Sequence, residues 1–389
     1  MTGAPDTSAP PRRIGFLILK ASTGAGGLET YELEIVRAIA RADTHNHYHV
    51  VCADPVDPAV FAIDQSNFTF HTLRPRSRVI GLAYAFPRLA AALRLDVFHV
   101  TFVPPLWAPC PYIFTAHGPE MFVNPRFYPL AIRIRMNALI RHAYRRAAHI
   151  LTVSASTRDF LHERFRVPHQ RMTIVYNGVN LAFRAVPKHE ARAAVKDRWG
   201  ITDPFALFVG RVEPRKNPVR VLEAFALCRE RLGPGFRLVI AGDKTWSAAD
   251  VDAAIARLGL APHITELGHI PITNLPALYS AAEMLVYPSL WEGFGLPIIE
   301  AMACDTPVIT ANVSSMPEVA GDAALLVDPL NPAAIAEAMV TLATDAALVD
   351  RLRALGRDRA AHFSWDAAAR QTIDAFLRIA AQRSPRAAE

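Results

Sequence analysis

Between Pro288 and Thr310 the chain reads PSLWEGFGLPIIEAMACDTPVIT, and two carboxylates, Glu292 and Glu300, stand in it with seven residues between them. GlyPheGly at 293–295 predicts a tight turn that exposes backbone N–H groups. Pro297 suits the first turn of a helix, whose apolar residues are Ile298, Ile299, Ala301 and Met302. Glu300 then lies one turn into the helix and Glu292 in the loop before it. Both carboxylates can face one ligand at the helix N-terminus. Carboxylates accept paired hydrogen bonds from vicinal hydroxyls, so a sugar or a ribose is a natural partner. The plainer alternative is a capping acid followed by a salt-bridged helix acid.

Three further groups could carry chemistry. In GRVEPRKNP (210–218), Arg211 and Lys216 flank a predicted strand-to-helix junction. Arginine brings a planar fork and lysine a point charge, and together they can neutralise a diphosphate. Lysine is otherwise scarce: five in the chain, against thirty-seven arginines. Near the N-terminus, Gly24, Gly26 and Gly27 precede a helical pattern from Leu28. Such a loop brings a backbone close to an anion, binds a dinucleotide, or simply turns from strand to helix. A dinucleotide loop wants glycine where Glu29 stands. His117 follows the predicted strand YIFTA (112–116), where a histidine is either structural or placed to meet a ligand.

The elements that must hold these groups come in two series. Short apolar runs at 14–19, 48–53, 96–101, 112–116, 149–154 and 173–178 read as buried strands with helices between them. A second series runs at 205–210, 236–242, 264–268, 284–288, 307–311 and 324–328, with helices at 218–231 and 275–282 among the gaps. This predicts an α/β protein of two Rossmann-like parallel-sheet domains facing a cleft. The expected divisions are a disordered tail at 1–13, an N-terminal domain at 14–185, a C-terminal domain at 186–364 and a final helical segment at 365–389. The length of 389 residues fits two cores.

Composition excludes several classes. Half the residues are apolar, so the chain is not wholly disordered. Cys52, Cys110, Cys228 and Cys304 stand far apart without a CxxC pair, which excludes a disulfide scaffold and the usual zinc ribbons. No metal-ligand spacing is found, and the expectation is no metal and no cofactor. The first thirteen residues lack an apolar core, so no secretory signal is expected, and no run of 18 apolar residues predicts a transmembrane helix. Residues 1–186 carry 21 Lys/Arg against 12 Asp/Glu, whereas 187–389 carry 21 against 24. From Met121 to Arg158 there are seven arginines and no acid. The segment 130–147 reads as a basic amphipathic helix, either a solvated surface helix or a contact for an anionic membrane. No nucleic-acid motif accompanies the charge, and no such partner is expected.

Taken in order, GGLE (26–29), HG (117–118), TVSAST (152–157), YNGV (176–179), VGRVEPRKN (209–217), EGFGLPIIEAMA (292–303), PVIT (307–310), SSMPEVAGDAALLVDP (314–329) and FSWDAAA (363–369) resemble the retaining, GT-B-fold glycosyltransferases of family 4, the E-x7-E group. The resemblance spans nearly the whole chain and is most like the bacterial mannosyltransferases of polysaccharide and glycolipid assembly. It implies that Arg211 and Lys216 hold a donor diphosphate and that Glu300 binds the ribose. Glu292 and the backbone at Phe294, Gly295 and Leu296 would surround the donor sugar and distal phosphate. Main chain around Ile270 would meet the base. Gly26 and Gly27, with Glu29 of the same piece, would lie near phosphate and acceptor, and His117 beside the transferring sugar. The last helix would cross back onto the N-terminal domain.

The same resemblance implies metal-independent transfer of a hexose with retention, GDP-mannose leading and UDP-glucose or a UDP-N-acetylhexosamine next. The acceptor would be a saccharide or a lipid-linked one. The location would be the cytoplasm, with peripheral contact at the inner face of the plasma membrane through residues 121–158. Two departures stand out: Asp305 replaces a usual glycine, and Asn180 replaces a frequent acid. An NAD-dependent oxidoreductase acting on a sugar, a sugar phosphorylase and a non-catalytic carbohydrate- or membrane-binding protein are the rivals. The first lacks the complete glycine fingerprint, the second lacks an evident pyridoxal lysine, and the third has no use for an intact charged site.

Overall fold

The computed structural model describes residues 10–19, 21, 26–75, 77, 80–118, 122, 125, 129–244 and 248–382. Most of the expected N-terminal tail, Gly24 of the glycine loop, part of the 121–158 segment and residues 383–389 therefore lie outside the described residues.

The first unit is built on β1 (Arg13–Ile18), β2 (His47–Cys52), β3 (Phe68–Thr72), β4 (Val97–Val100), β5 (Tyr112–Ala116), β6 (His149–Thr152) and β7 (Met172–Ile174). They form one sheet in the order β3-β2-β1-β4-β5-β6-β7, with every pairing parallel. Parallel strands need covered faces, and the alternation within β1 shows how this is met. Ile14, Phe16 and Ile18 enter one apolar cluster, with the helix Gly27–Ala42, while Leu17 enters the cluster on the other face. Each such buried side chain contributes about 1.5–3 kcal/mol.

The second unit holds β8 (Phe205–Val209), β9 (Arg237–Ala241), β10 (Ile264–Gly268), β11 (Met284–Tyr287), β12 (Val308–Ala311) and β13 (Ala324–Val327). Their order is β10-β9-β8-β11-β12-β13, again all parallel. Its core gathers around Phe208, Phe225, Leu238, Val286 and Met339.

Each strand expected in the second series is present within a residue or two of its predicted ends. In the first series β3 escaped notice. It is an edge strand with no continuous apolar run, and only Phe68 is buried while Phe70 is half-buried. The run 173–178 was expected as strand, but β7 ends at Ile174, and the last bond to β6 is from Val175 N to Thr152 O at 2.8 Å.

The units divide at Gly178/Val179, earlier than the expected boundary at 185. The bonding explains the difference. Val179 N donates to Phe363 O at 3.0 Å and Val186 N to Ser280 Oγ at 3.1 Å, and Phe183 packs edge-on to Tyr279. The connecting stretch thus belongs to the second unit. The final helix, Trp365–Ala381, belongs to the first unit. Its Trp365, Ala369, Ile373 and Phe376 enter the same cluster as β1, with the Phe376 ring edge-on to Phe16 at 5.6 Å. Arg41 Nη2 pairs with Asp366 at 2.7 Å.

Two glycines let the ends of β8 and β9 meet. Gly242 has φ 153°, and a Cβ there would lie 2.0 Å from Gly210 O. That oxygen is backbone and has nowhere to go. Gly242→Ala should therefore cost about 3 kcal/mol. This is a fall of about 6–12 °C in melting temperature for a unit of this size, read by thermal unfolding.

Candidate functional site

In an open parallel sheet, ligands bind beyond the carboxyl ends of the strands, where the connections part in opposite directions. In the second sheet this point lies between β8 and β11. The GRVEPRKN loop leaves β8 and the SLWEGFG loop leaves β11, so residues far apart in sequence meet there. Lys216 Nζ donates to Glu292 Oε1 at 2.7 Å and also to Tyr287 Oη, and Tyr287 Oη donates to the same carboxylate oxygen at 2.8 Å. Arg215 Nη1 donates to Glu292 Oε2 at 2.7 Å, and Arg215 Nη2 to Glu213 Oε1 at 2.6 Å.

The backbone holds this cluster in place. Pro214–Lys216 forms a single 3-10 turn, closed by Asn217 at φ 65°. Asn217 Nδ2 donates to Pro288 O at 3.0 Å and Pro329 O at 2.6 Å, while Leu290 N donates to Arg215 O at 2.8 Å. On the other side Glu292 N donates to Ser314 Oγ, and Ser315 Oγ donates to the carbonyls of Glu292 and Phe294, each at 3.0 Å. Gly210 takes φ 122°, a backbone conformation that residues with a Cβ rarely adopt, and it packs against the Lys216 stem.

The two glutamates sit in opposite electrostatic settings. Burial would raise the Glu292 carboxyl, but Arg215 and Lys216 outweigh it and hold it at about 2. Glu292 is therefore a fixed anion. Glu300, on the helix Leu296–Ala303, accepts a hydrogen bond from Tyr279 Oη at 2.9 Å. Burial pushes its carboxyl up to about 7, against the opposing pulls of that hydrogen bond and of Lys216. Burial also lowers the Lys216 ammonium below its ordinary range, although Glu292 opposes this. Tyr279 is aligned by Thr306 Oγ1, which donates to its carbonyl at 2.7 Å.

Arg211 stands apart. It is exposed, and among the described residues it has no ion-pair partner. The neighbouring Val212 is buried in a bridge to Lys244, so alternation turns Arg211 outward. The cation beside Lys216 on Glu292 is Arg215, which was not among the expected site residues. The sequence displayed Arg215 in the same loop, but residue type could not choose between two arginines four positions apart. Tyr287 and Tyr279 were also missed, since one reads as strand core and the other as helix core.

The other expected residues fall as follows. Phe294 is buried, Gly295 adopts φ 100° and Leu296 opens the helix. Ile270 is buried just past β10. Asp305 does adopt the left-handed region, at φ 58°. Arg357 Nη1 donates to its Oδ1 at 2.9 Å and Arg353 Nε to its carbonyl at 3.1 Å, which offsets part of the strain. Asn180 builds a turn, accepting from Ala182 N at 2.8 Å.

In the first unit, Gly26 takes φ 66° immediately before the helix Gly27–Ala42, on which Glu29 is half-buried. His117 follows β5, and its ring packs edge-on to Tyr31 at 4.4 Å. Its Nε2 is buried and has no hydrogen-bond partner among the described residues. Burial lowers it to about 3, so the ring is neutral at pH 7 and can meet a ligand hydroxyl through that nitrogen. Tyr31 is itself held by Thr115 Oγ1 at 3.0 Å. Among the described residues no group of three or more His, Cys, Asp or Glu is arranged to hold a metal ion.

Residues 192–359 match the family model described as glycosyl transferases group 1, and residues 25–183 match glycosyltransferase family 4. An O-antigen chain mannosyltransferase B of Escherichia coli is 34% identical over 267 residues, 68% of this chain and 69% of that protein. A D-inositol 3-phosphate glycosyltransferase of Salinispora arenicola is 28% identical over 97% of this chain and 94% of that protein. Among solved structures, a sucrose-phosphate synthase from Thermosynechococcus elongatus superposes with a TM-score of 0.79 at 23% identity, covering 95% of this chain and all of that one. The Anabaena HepE protein, in complex with UDP and glucose, superposes at 0.74 with 18% identity, covering 94% and 100%.

The raised Glu300 carboxyl has a measurable consequence. Between pH 4.5 and about 7 it holds a proton in the folded chain that the unfolded chain has released. The stability it contributes is present below pH 4.5 and lost as pH rises through about 7. Glu300→Gln, which keeps the hydrogen bond with Tyr279, should flatten that part of the curve of melting temperature against pH. A slope unchanged by the substitution would contradict the assignment.

Proposed function

The chain belongs to the glycosyl transferases of group 1 and family 4, and from that membership we propose that it moves mannose from GDP-mannose, with retention and without a metal ion, to a saccharide or lipid-linked acceptor. It is a hexosyltransferase, and its two Rossmann-like units are those of the GT-B fold. The observation that carries the reading of the site is the buried Lys216–Glu292–Arg215 cluster at the β8/β11 divide, with Glu300 one helix turn from the loop.

In this reading the donor binds the second unit. Glu300 accepts from the ribose hydroxyls, and the main chain around Ile270 meets the base. As the bond from the anomeric carbon to the diphosphate oxygen breaks, the electron pair leaves with the diphosphate. Lys216, the exposed Arg211 and the N–H groups at Gly295–Leu296 stabilise that charge, already oriented before the reaction begins. Glu292 keeps Lys216 charged in a buried setting and offers its oxygens to the sugar hydroxyls. The acceptor hydroxyl forms the new bond on the face the leaving group departs from, and its proton passes to the released phosphate. The Gly26–Gly27 turn, Glu29 and His117 are assigned to the acceptor side.

Mannose is supported by the names of the relatives, two of them O-antigen chain mannosyltransferases. A UDP-linked hexose is the second reading. It is supported by a fold neighbour that was solved with UDP and glucose.

With chelator present, GDP and GDP-mannose should each raise the melting temperature, while NADH should not. A shift by the UDP ligands alone would transfer the assignment to the second reading. Lys216→Ala and Arg211→Ala should each lower turnover by on the order of 10²-fold or more. Turnover of Lys216→Ala within about a factor of two of the parent would overturn the electrostatic role. The configuration at the anomeric carbon of the product, read by NMR, tests retention.

A further inference from the structure

A glutamate side chain has three rotatable bonds, and fixing them only when a ligand arrives lowers affinity. In the second unit Glu300 is fixed beforehand. Tyr279 Oη donates to Glu300 Oε2 at 2.9 Å. Tyr279 is fully buried, whereas Glu300 is half-buried. Among the described residues Glu300 Oε1 accepts no hydrogen bond, and it reaches the surface. One oxygen is thus tied from behind while the other is open to a ligand.

The tyrosine is itself held at several points. It lies on the short helix Leu275–Ala281, and its carbonyl accepts from Thr306 Oγ1 at 2.7 Å. Its ring meets the Phe183 ring edge-on, 5.9 Å between centres. The next residue, Ser280, donates to Cys304 O at 3.2 Å and accepts from Val186 N at 3.1 Å. Cys304 N in turn donates to Glu300 O at 3.1 Å. The segment that carries Tyr279 and the end of the Glu300 helix are therefore joined through this chain of bonds as well as through the phenol. Burial and the Glu300 carboxylate both hold the phenol above its ordinary range, so it stays a donor. A buried tyrosine hydroxyl needs a partner, and a backbone carbonyl would satisfy it at less cost than a carboxylate. A carboxylate with one open oxygen points to a use for that oxygen.

We propose that Tyr279 is the positioning residue that sets how strictly this chain demands a ribose, rather than a deoxyribose, in its nucleotide. With Oε2 tied to the phenol, the plane of the carboxylate is fixed. Oε1 and the second lone pair of Oε2 are then left for the two hydroxyls of a vicinal diol. A nucleotide without the 2′-hydroxyl leaves one of these acceptors unmet, and the loss is largest when the carboxylate cannot turn to another donor. The inference rests on the ribose role proposed for Glu300. It adds that the strictness comes from a residue behind Glu300 that does not touch the nucleotide.

The test is the ratio of dissociation constants for 2′-deoxy-GDP and GDP, and for 2′-deoxy-UDP and UDP, measured by calorimetry on the full chain. The parent chain should prefer at least one of the two ribonucleotides by on the order of 10–100-fold. Tyr279→Phe keeps the ring against Phe183 and removes only the hydroxyl. It should weaken the ribonucleotide about tenfold and leave the deoxynucleotide within about threefold, so the ratio contracts. In turnover the donor KM should rise while kcat holds within about threefold, because the ribose contact is made equally before and during bond breaking. In a Glu300→Gln background, where the ratio should already be lost, Tyr279→Phe should add nothing. If Tyr279→Phe is unstable, Thr306→Val, which frees the Tyr279 carbonyl and keeps the phenol, should contract the ratio in the same direction. Equal weakening of both nucleotides by Tyr279→Phe, or an unchanged ratio, while Glu300→Gln abolishes it would overturn the role of Tyr279 alone. No preference in the parent chain, or one that Glu300→Gln leaves intact, would overturn the ribose reading of Glu300 and this proposal with it.

Discussion

The candidate site depends on one buried charge. Glu292 lies beneath the surface with an arginine on one oxygen and a lysine and a tyrosine hydroxyl on the other. Removing a carboxylate and an ammonium from water costs several kcal/mol each, and mutual attraction repays this only when every polar atom finds a partner. Here the loops after β8 and β11 supply those partners, and the loops are themselves bonded to each other through Asn217 and Leu290. The cluster is therefore less a source of stability than a constraint that the surrounding backbone must meet. Gly210 and Gly242 meet part of it by letting β8 and β9 end side by side.

That constraint also separates the roles of two chemically identical side chains. Glu292, between two cations, stays ionised far below neutral pH, while Glu300, held by burial and one phenol, titrates close to neutrality. One carboxylate can thus balance charge in the absence of a ligand while the other waits for hydroxyl donors. Lys216 and Arg215 are engaged by Glu292, whereas among the described residues Arg211 has no ion-pair partner. An incoming diphosphate would meet Arg211 first and share Lys216 with Glu292.

Much of this was legible in the residues. The two series of short apolar runs, the glycine turns and the proline at the start of the helix after Gly295 are local signals, because strand burial, φ restriction and helix entry act over a few residues. The second unit followed its pattern closely. β3 was hidden because an edge strand buries only one face and shows no apolar run. The boundary at Gly178 was hidden because it depends on hydrogen bonds from Val179 and Val186 to partners far along the chain. Asp305, which replaces a usual glycine, takes a positive φ, and the two arginines that offset it come from another helix.

By itself the sequence determined the fold class, the family and the short list of charged groups, since each is carried by residue type and spacing within a segment. Only the tertiary structure decided which arginine joins Lys216, that Tyr287 and Tyr279 complete the two carboxylate sites, and that His117 keeps a buried nitrogen with no hydrogen-bond partner among the described residues. Those outcomes depend on which loops adjoin at the parting of β8 and β11, and on which side chains the alternation at Val212 turns outward. They are distances between segments, and a one-dimensional pattern holds no term for them.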